Sequence, residues 1–185
     1  MKTNIISTIV SILLLSLTVQ AQTSKLVLEE SKVTAIGTSN THDWEGDVKK
    51  MTGDAKITVE NANVTAIESL NLTMEVSSME SGKSSLDGNM HKTMYAKKHP
   101  NITYKLTSAT VDSEGNVTAQ GNLTINGNTK AITLKPTTTV SNGKVTFKGT
   151  TTFNMSDYGV EPPSLMFGAI KVVDEVKIEM KVTFI

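Results

Sequence analysis

The sequence contains no cysteine, which excludes disulfide bonds, thiolate nucleophiles and cysteine-ligated metal sites. It also lacks arginine, because all 18 basic residues are lysine, so no planar guanidinium is available to bind phosphate or carboxylate through two hydrogen bonds. The 18 acidic residues balance the lysines, and the chain therefore has no net charge that would attract nucleic acid or an anionic membrane surface. We expect no nucleic-acid partner.

Aromatic residues are also scarce, at 4% of the chain. A membrane β-barrel needs aromatic girdles at both interfaces, so we expect a protein that is not membrane-embedded. Catalytic motifs are missing too: the chain has no Gly-x-Ser-x-Gly elbow and no phosphate-binding glycine loop. His42, His91 and His99 match no zinc-binding spacing, and we expect them to pack or to form hydrogen bonds. The sequence thus predicts a non-enzymatic protein with no catalytic residues, metal or cofactor.

The N-terminus has the layout of a cleavable secretory signal. Lys2 is followed by an apolar run at positions 5–19, and Ala21 supplies a small residue for the cleavage site. The run is shorter than the ~20 residues of a spanning helix, which disfavours a membrane anchor. We therefore predict a signal peptide at 1–21, a single domain at 22–185, and a location outside the cytoplasm.

The rest of the chain is dominated by apolar and polar residues that alternate with period two, the pattern of antiparallel strands with one apolar face. Segment 176–184 is the clearest example, with lysine, glutamate and threonine between its apolar residues. Asn126-Gly127 and Asn142-Gly143 can each form the tight primed turn of a β-hairpin. We predict an all-β fold of about eight strands, in one antiparallel sheet that closes into a β-barrel and so removes its edges.

Segment 84–98 differs from its surroundings, because its apolar residues have helical spacing and form one stripe: Leu86, Met90 and Met94. Ser84 and Asp87 resemble a capping box at the start of this helix. Pro100 ends it, because the residue before a proline is pushed out of helical geometry. The sequence therefore predicts one short helix, which could cap an end of the barrel.

Several residues on the predicted apolar face are small: Ala55, Ala119, Gly121 and Gly149. A barrel of about eight strands is just wide enough to be filled by side chains or to hold one ligand. Small inward residues either leave volume for a ligand or pack against large neighbours. The pattern alone leaves both interpretations open.

Five groups of residues resemble, in this order, the motifs of the YceI-like lipid- and polyisoprenoid-binding proteins. They are 37–46 (GTSNTHDWEG), 90–92 (MHK) with 96–102 (AKKHPNI), 121–130 (GNLTINGNTK), 153–160 (FNMSDYGV) and 168–172 (GAIKV). The resemblance covers essentially the whole predicted domain. The first motif has a His-Asp-Trp form here, which is a departure from the family pattern.

The resemblance implies a lipocalin-like antiparallel barrel, periplasmic or secreted, that encloses a long apolar lipid and catalyses no reaction. The expected ligand is a polyisoprenoid or an isoprenoid quinone, and the small inward residues would provide space for it. Strand register predicts four residues on the tunnel wall: Leu123, Ile125, Phe147 and Phe153. Five more are expected nearer the tunnel ends: Trp44, Met90, Met94, Met166 and Phe167.

Two other functions remain open at this point. A structural or stress-response envelope protein would have a filled core and no ligand. A metal-assisted enzyme that uses His42 is the more distant alternative. The sequence also leaves open whether the protein forms a homodimer.

Overall fold

The computed structural model describes residues 22–185, so the predicted signal peptide at 1–21 lies outside the described residues. The described chain consists mostly of antiparallel β-strands and contains one α-helix. The predicted all-β class with a single helix is therefore confirmed. Within residues 22–185, no helix is long and apolar enough to cross a bilayer.

The strands, in chain order, are β1 (Gln22–Lys25), β2 (Lys32–Thr38), β3 (Asp43–Val48), β4 (Met51–Glu60), β5 (Asn63–Glu75), β6 (Met79–Glu80), β7 (Asn101–Val111), β8 (Val117–Ile125), β9 (Asn128–Leu134), β10 (Thr137–Ser141), β11 (Lys144–Asn154), β12 (Ser164–Leu165), β13 (Ile170–Lys171) and β14 (Glu175–Phe184). The α-helix, α1, spans Ser84–Thr93. Short 3-10 turns occupy Leu28–Glu30, Val76–Ser78, Met155–Tyr158 and Met166–Gly168.

These strands form two six-stranded sheets and one two-stranded ribbon. The first sheet has the order β1-β4-β5-β7-β8-β9, and the second has the order β10-β11-β14-β2-β3-β6. The ribbon is β12 paired with β13. Both large sheets are open, so the prediction of one closed barrel of about eight strands is wrong.

The reason lies in the bends between strands that are close in sequence. β3 belongs to the second sheet and β4 to the first, with only Lys49 and Lys50 between them. β9 and β10 change sheets in the same way across Lys135 and Pro136, and a proline has no N–H to continue a ladder. Strands that switch sheets at a bend form the corners of packed-sheet folds. Such bends divide long stretches of extended chain into separate strands. The structure therefore has more strands than the eight or so that the sequence predicts.

The predicted alternation holds along the strands that cover the core. On β8 every second residue is buried: Val117, Ala119, Gly121, Leu123 and Ile125. The apolar core lies between the inner faces of the two sheets. At one edge the sheets are also joined directly, because Lys25 and Ile185 exchange two backbone hydrogen bonds of 2.7 and 2.9 Å.

Helix α1 is shorter than the predicted segment 84–98 and begins differently. Tyr95 has a φ of 49°, and this left-handed conformation ends the helix, because an α-helix cannot continue through it. The predicted capping box is absent, since the N-cap residue is Lys83 and makes no side-chain cap. The Asp87 carboxylate instead accepts hydrogen bonds from the backbone N–H and the hydroxyl of Ser81, at 2.7 and 2.6 Å.

The two Asn-Gly turns are confirmed. Asn126 and Gly127 have φ angles of 51° and 75°, and Asn142 and Gly143 have 51° and 74°. Two consecutive positive φ angles are the signature of the type I′ hairpin turn.

The two turns differ in what surrounds the glycine, which allows a matched test. Gly143→Ala should lower the free energy of unfolding by about 1 kcal/mol, because only the left-handed backbone is strained, with open space around the added carbon. Gly127→Ala should cost more, because its added Cβ would lie 2.7 Å from Cε1 of His99. Urea unfolding of both variants measures the two losses in free energy of unfolding. Adding His99→Ala to Gly127→Ala should remove the extra loss at Gly127, because the imidazole that the new Cβ would contact is then absent. Equal losses at the two glycines would contradict the contact.

Candidate functional site

An apolar cavity of about 220 Å³ lies between the two sheets. Its wall is formed by inward residues of both sheets and by one face of α1. Among the described residues that line it, none carries a charged side chain, and the few polar ones include Asn89, Thr93 and Thr151. An apolar cavity of about 150 Å³ already stays dry and takes a small aromatic molecule. The cavity is therefore suited to an apolar ligand.

Seven of the nine residues predicted to contact a ligand line this cavity: Trp44, Met90, Met94, Leu123, Ile125, Phe147 and Phe153. They come from β3, α1 with the turn that follows it, β8 and β11. The structure thus brings together residues that are far apart in sequence, because the inward faces of both sheets meet at the cavity.

Met166 and Phe167 do not line the cavity, and their predicted place at its ends is corrected. Met166 is 72% exposed and Phe167 is fully exposed. Both have left-handed φ angles, 52° and 55°, in the 3-10 turn that directly follows Leu165. At this point the wall is formed by Pro163 and Leu165, and the turn directs the next two side chains to solvent.

Helix α1 contributes the predicted apolar stripe to the wall. Leu86, Met90 and Met94 all line the cavity. Met90 fits against β3 because Gly46 has no side chain: a Cβ at Gly46 would lie 2.9 Å from the Met90 sulfur. The absence of a side chain at Gly46 thus leaves the space that the end of the Met90 side chain occupies against the strand.

The small inward residues do not all provide ligand space. Ala119 lines the cavity, whereas Ala55, Gly121 and Gly149 do not. At Gly121 the space is occupied, because an added Cβ would lie 2.4 Å from Cζ and 2.5 Å from Oη of Tyr104. The expectation that Gly121 leaves room for lipid is therefore wrong.

Tyr104 is a cavity residue that sequence reasoning missed. It is 7% exposed, lines the cavity and pairs with Leu123 across β7 and β8, which places it diagonal to Gly121. An aromatic side chain that covers a cross-strand glycine is a known way to pin a strand pair. The inward alternation of Ile102, Tyr104 and Leu106 was the available signal. The position of its ring over Gly121 could be known only from the register of β7 and β8.

Trp44 covers a glycine in the same manner. It pairs with Gly37 across β2 and β3, and a Cβ on Gly37 would lie only 2.3 Å from Cζ2 of the indole. Gly37 therefore leaves the space that the indole fills. Each of the two sheets thus places one aromatic ring over a glycine of the adjacent strand.

Two polar atoms in this wall are buried without a hydrogen-bond partner among residues 22–185: Nε1 of Trp44 and Oη of Tyr104. Burial raises the pKa of Tyr104 to about 12. The phenol is therefore protonated at neutral pH and can donate a hydrogen bond. Buried donors without partners are rare in proteins, so both atoms require an explanation.

The three histidines are not brought together. Nδ1 of His42 lies 3.2 Å from the carbonyl oxygen of Asp43, and Nε2 of His91 lies 2.9 Å from the carbonyl oxygen of Met79. His99 lies against Gly127. In the part of the chain that the structure describes, no group of three or more histidine or carboxylate side chains could hold a metal ion.

The contact of Tyr104 with Gly121 can be tested against a matched strand glycine. Gly121→Ala should lower the free energy of unfolding by about 1 to 3 kcal/mol, because the new methyl group overpacks the ring. Gly149→Ala should be neutral or slightly stabilising, since its Cβ would meet Pro136 at 3.4 Å, an ordinary contact, and alanine lowers the entropy of the unfolded chain. Urea unfolding curves of both variants provide the comparison. A Gly121→Ala protein as stable as Gly149→Ala would rule out the ring's position.

Solved structures of similar fold cover most of the chain. BcnA from Burkholderia cenocepacia superposes with a TM-score of 0.73 at 22% identity, over 85% of this chain and 98% of that one. A polyisoprenoid binding domain from Saccharophagus degradans, implicated in plant cell wall breakdown, gives 0.70 at 12% identity, over 89% and 98%. A Campylobacter jejuni YceI protein gives 0.57 at 20% identity, over 74% and 82%. At these identities the likeness establishes the fold alone.

The sequence itself carries the family assignment. No curated protein matches the chain significantly. The model of the YceI-like domain, however, matches residues 18–184, which includes both sheets, the helix and every residue that lines the cavity. The chain therefore belongs to the YceI-like domain family.

Proposed function

We propose that the protein is a non-enzymatic carrier that binds a long apolar lipid, of isoprenoid type, in the cavity between its sheets. The observation that carries this proposal is the cavity itself, whose described wall is apolar and uncharged. A soluble ligand with charged groups would lose its hydration there without compensation. An apolar chain has no charged group whose hydration would be lost in the cavity.

Membership of the YceI-like family supports the proposal. One structural neighbour over nearly its whole length is described as a polyisoprenoid binding domain. An isoprenoid chain is also a suitable occupant on physical grounds, because it is flexible and methyl-branched. Met90 and Met94 in the wall can adapt to such a chain, since thioether side chains are unbranched and polarizable.

Burial of apolar carbon contributes affinity without an ionic anchor. Each buried CH₂ contributes about 0.8 kcal/mol, so a prenyl unit of about five carbons contributes roughly 2 to 3 kcal/mol when it is fully enclosed. Two such units, roughly what a cavity of about 220 Å³ encloses when a 150 Å³ cavity holds benzene, would offset part of the association cost of about 4 to 15 kcal/mol. The lack of arginine in the chain, and of charged side chains in the described wall, is then no obstacle to binding an apolar chain.

We further propose that the protein acts outside the cytoplasm, in the periplasm or after secretion. The apolar run at 5–19 and the small residue Ala21 support export with cleavage of residues 1–21.

Export predicts a mature chain that begins near Gln22. The intact mass of the protein, recovered from a periplasmic extract or culture medium of cells that express the full-length chain, measures this directly. A mass that includes Met1, found in the membrane fraction, would contradict the proposed processing.

Lipid carriage predicts that filling the cavity removes the ligand. Ala119→Phe should lower the ratio of bound lipid to protein, because Ala119 lines the cavity and a phenyl ring there displaces part of the chain. Loss of one prenyl unit of burial corresponds to about a 30-fold or greater loss of affinity. Mass spectrometry of organic extracts of the purified protein measures the lipid.

Ala131→Phe is the matched control, because Ala131 is exposed on the neighbouring strand β9. It should retain the wild-type lipid content. Absence of apolar lipid from extracts of the wild-type protein, together with a loss of stability in Ala119→Phe, would instead indicate a filled core and a structural role.

A further inference from the structure

The two most exposed large apolar side chains of the described residues are neighbours in sequence. Met166 is 72% exposed and Phe167 is fully exposed, in the turn that joins β12 to β13. Both have left-handed φ angles, 52° and 55°, and this conformation is unfavourable for residues that have a Cβ. Exposure and backbone strain thus both disfavour this arrangement in the free protein. Strain that persists in a folded chain clusters at functional segments.

The turn is held in place by Asn40, which lies in the connection between β2 and β3. Its side-chain Nδ2 donates a hydrogen bond of 2.9 Å to the carbonyl oxygen of Ala169. Its Oδ1 accepts one of 2.9 Å from the backbone N–H of Lys171, and its own backbone N–H donates one of 3.1 Å to the carbonyl oxygen of Lys171. Met166 and Phe167 are therefore presented to solvent by an anchored turn.

The ribbon of β12 and β13 that carries this turn also forms part of the cavity wall. Leu165 lines the cavity, and so do Pro163 and Val172 at the base of the ribbon. The ribbon belongs to neither of the six-stranded sheets. The exposed pair, Met166 and Phe167, thus lies one residue away from the interior, at a part of the wall that neither large sheet provides.

The ribbon also differs in charge from the rest of the chain. Charged residues make up 19% of the sequence, yet segment 162–173 contains only Lys171 and no carboxylate. Lys171 is exposed, and a lysine beside an apolar surface can extend its ammonium group into water while its methylene groups stay on the apolar side. When this segment approaches a lipid surface, no carboxylate on it has to lose its hydration.

The size of the exposed pair indicates what it can bind. A large side chain buries about 150 to 250 Å², so Met166 and Phe167 together offer on the order of 400 Å². A second copy that met them with the same two side chains would bury on the order of 800 Å², whereas a stable protein interface buries about 1,200 to 2,000 Å². A lipid surface requires no such area, because apolar side chains enter it individually and bind weakly and reversibly.

We propose that Met166 and Phe167 insert into the surface of a lipid bilayer and dock the protein there, with the ribbon and the adjoining cavity wall facing the membrane. The purpose of this contact rests on the proposed carrier function: from the docked protein, an apolar chain can pass between bilayer and cavity with little exposure to water.

The test combines Met166→Asn with Phe167→Asn, because asparagine removes the apolar side chain and tolerates the left-handed backbone. Residues 22–185, the whole described fold, are used so that the apolar run at 5–19 cannot itself bind lipid. The wild type should float with phosphatidylcholine vesicles in low and in high salt, since insertion depends little on charge. Each single substitution should weaken vesicle binding about 10-fold, and the pair about 100-fold. The double variant should melt at or above the wild-type temperature.

Ile185→Asn is the matched control, because Ile185 is also a large apolar residue that is mostly exposed, at 56%. Strand β14 separates it from the ribbon, and the ten residues of that strand span about 33 Å. The hydrogen bonds of Ile185 to Lys25 use the backbone alone, so the substitution keeps them. This variant should bind the vesicles as tightly as the wild type does.

Uptake of a fluorescent polyprenyl probe from the same vesicles separates this inference from the carrier function. The double variant should take up the probe more slowly than the wild type but reach the same final amount, because neither substituted residue lines the cavity. Docking is overturned, and the carrier function stands, if the wild type takes up the probe without floating or if the double variant floats equally well. A wild type that floats through the pair but takes up no probe overturns the carrier function alone. A wild-type dimer that the double variant abolishes, without flotation, overturns docking in favour of a contact between copies.

Discussion

Alternation along antiparallel strands is the constraint on which the cavity depends. Successive side chains point to opposite faces, so the inward positions of β8 and its neighbours give a cavity wall that has no charged side chain among residues 22–185. Lysine and glutamate occupy the other face, as Lys177 and Glu179 do on β14. A shift of one residue in these pairings would bring polar side chains inward on β8 and charged ones on β14. The apolar character of the site therefore follows from the register of the sheets.

Glycines beneath aromatic rings then give that interior its shape. Gly121 and Gly37 leave the space in which Tyr104 and Trp44 lie. Each ring therefore packs directly against the backbone of the adjacent strand. In these positions, Nε1 of Trp44 and Oη of Tyr104 are buried and have no hydrogen-bond partner among residues 22–185. The position of both rings, and the burial of their polar atoms, thus follow from the same strand register.

A cavity of about 220 Å³ also makes the stability of the protein depend on what fills it. Unfilled apolar volume lowers stability, because the surrounding atoms lose contacts that a filled core would have. A bound lipid restores those contacts, and a ligand that binds only the folded state stabilises it by mass action. The lipid would thus act as part of the core, and the protein would be most stable when loaded. This property is consistent with the proposed carrier function, because binding of a chain would stabilise the empty protein.

The amino-acid sequence determined the all-β class, the single helical stripe of Leu86, Met90 and Met94, the Asn-Gly turns and the inward positions of β8, because all of these depend on local periodicity and local backbone preference. Tertiary structure alone decided three other features: the bend at Pro136 that divides one run between two sheets, the cover that Tyr104 places over Gly121, and the outward direction of the turn after Leu165. Each depends on which strands become neighbours and where they bend. A period of two along the chain carries no information about either.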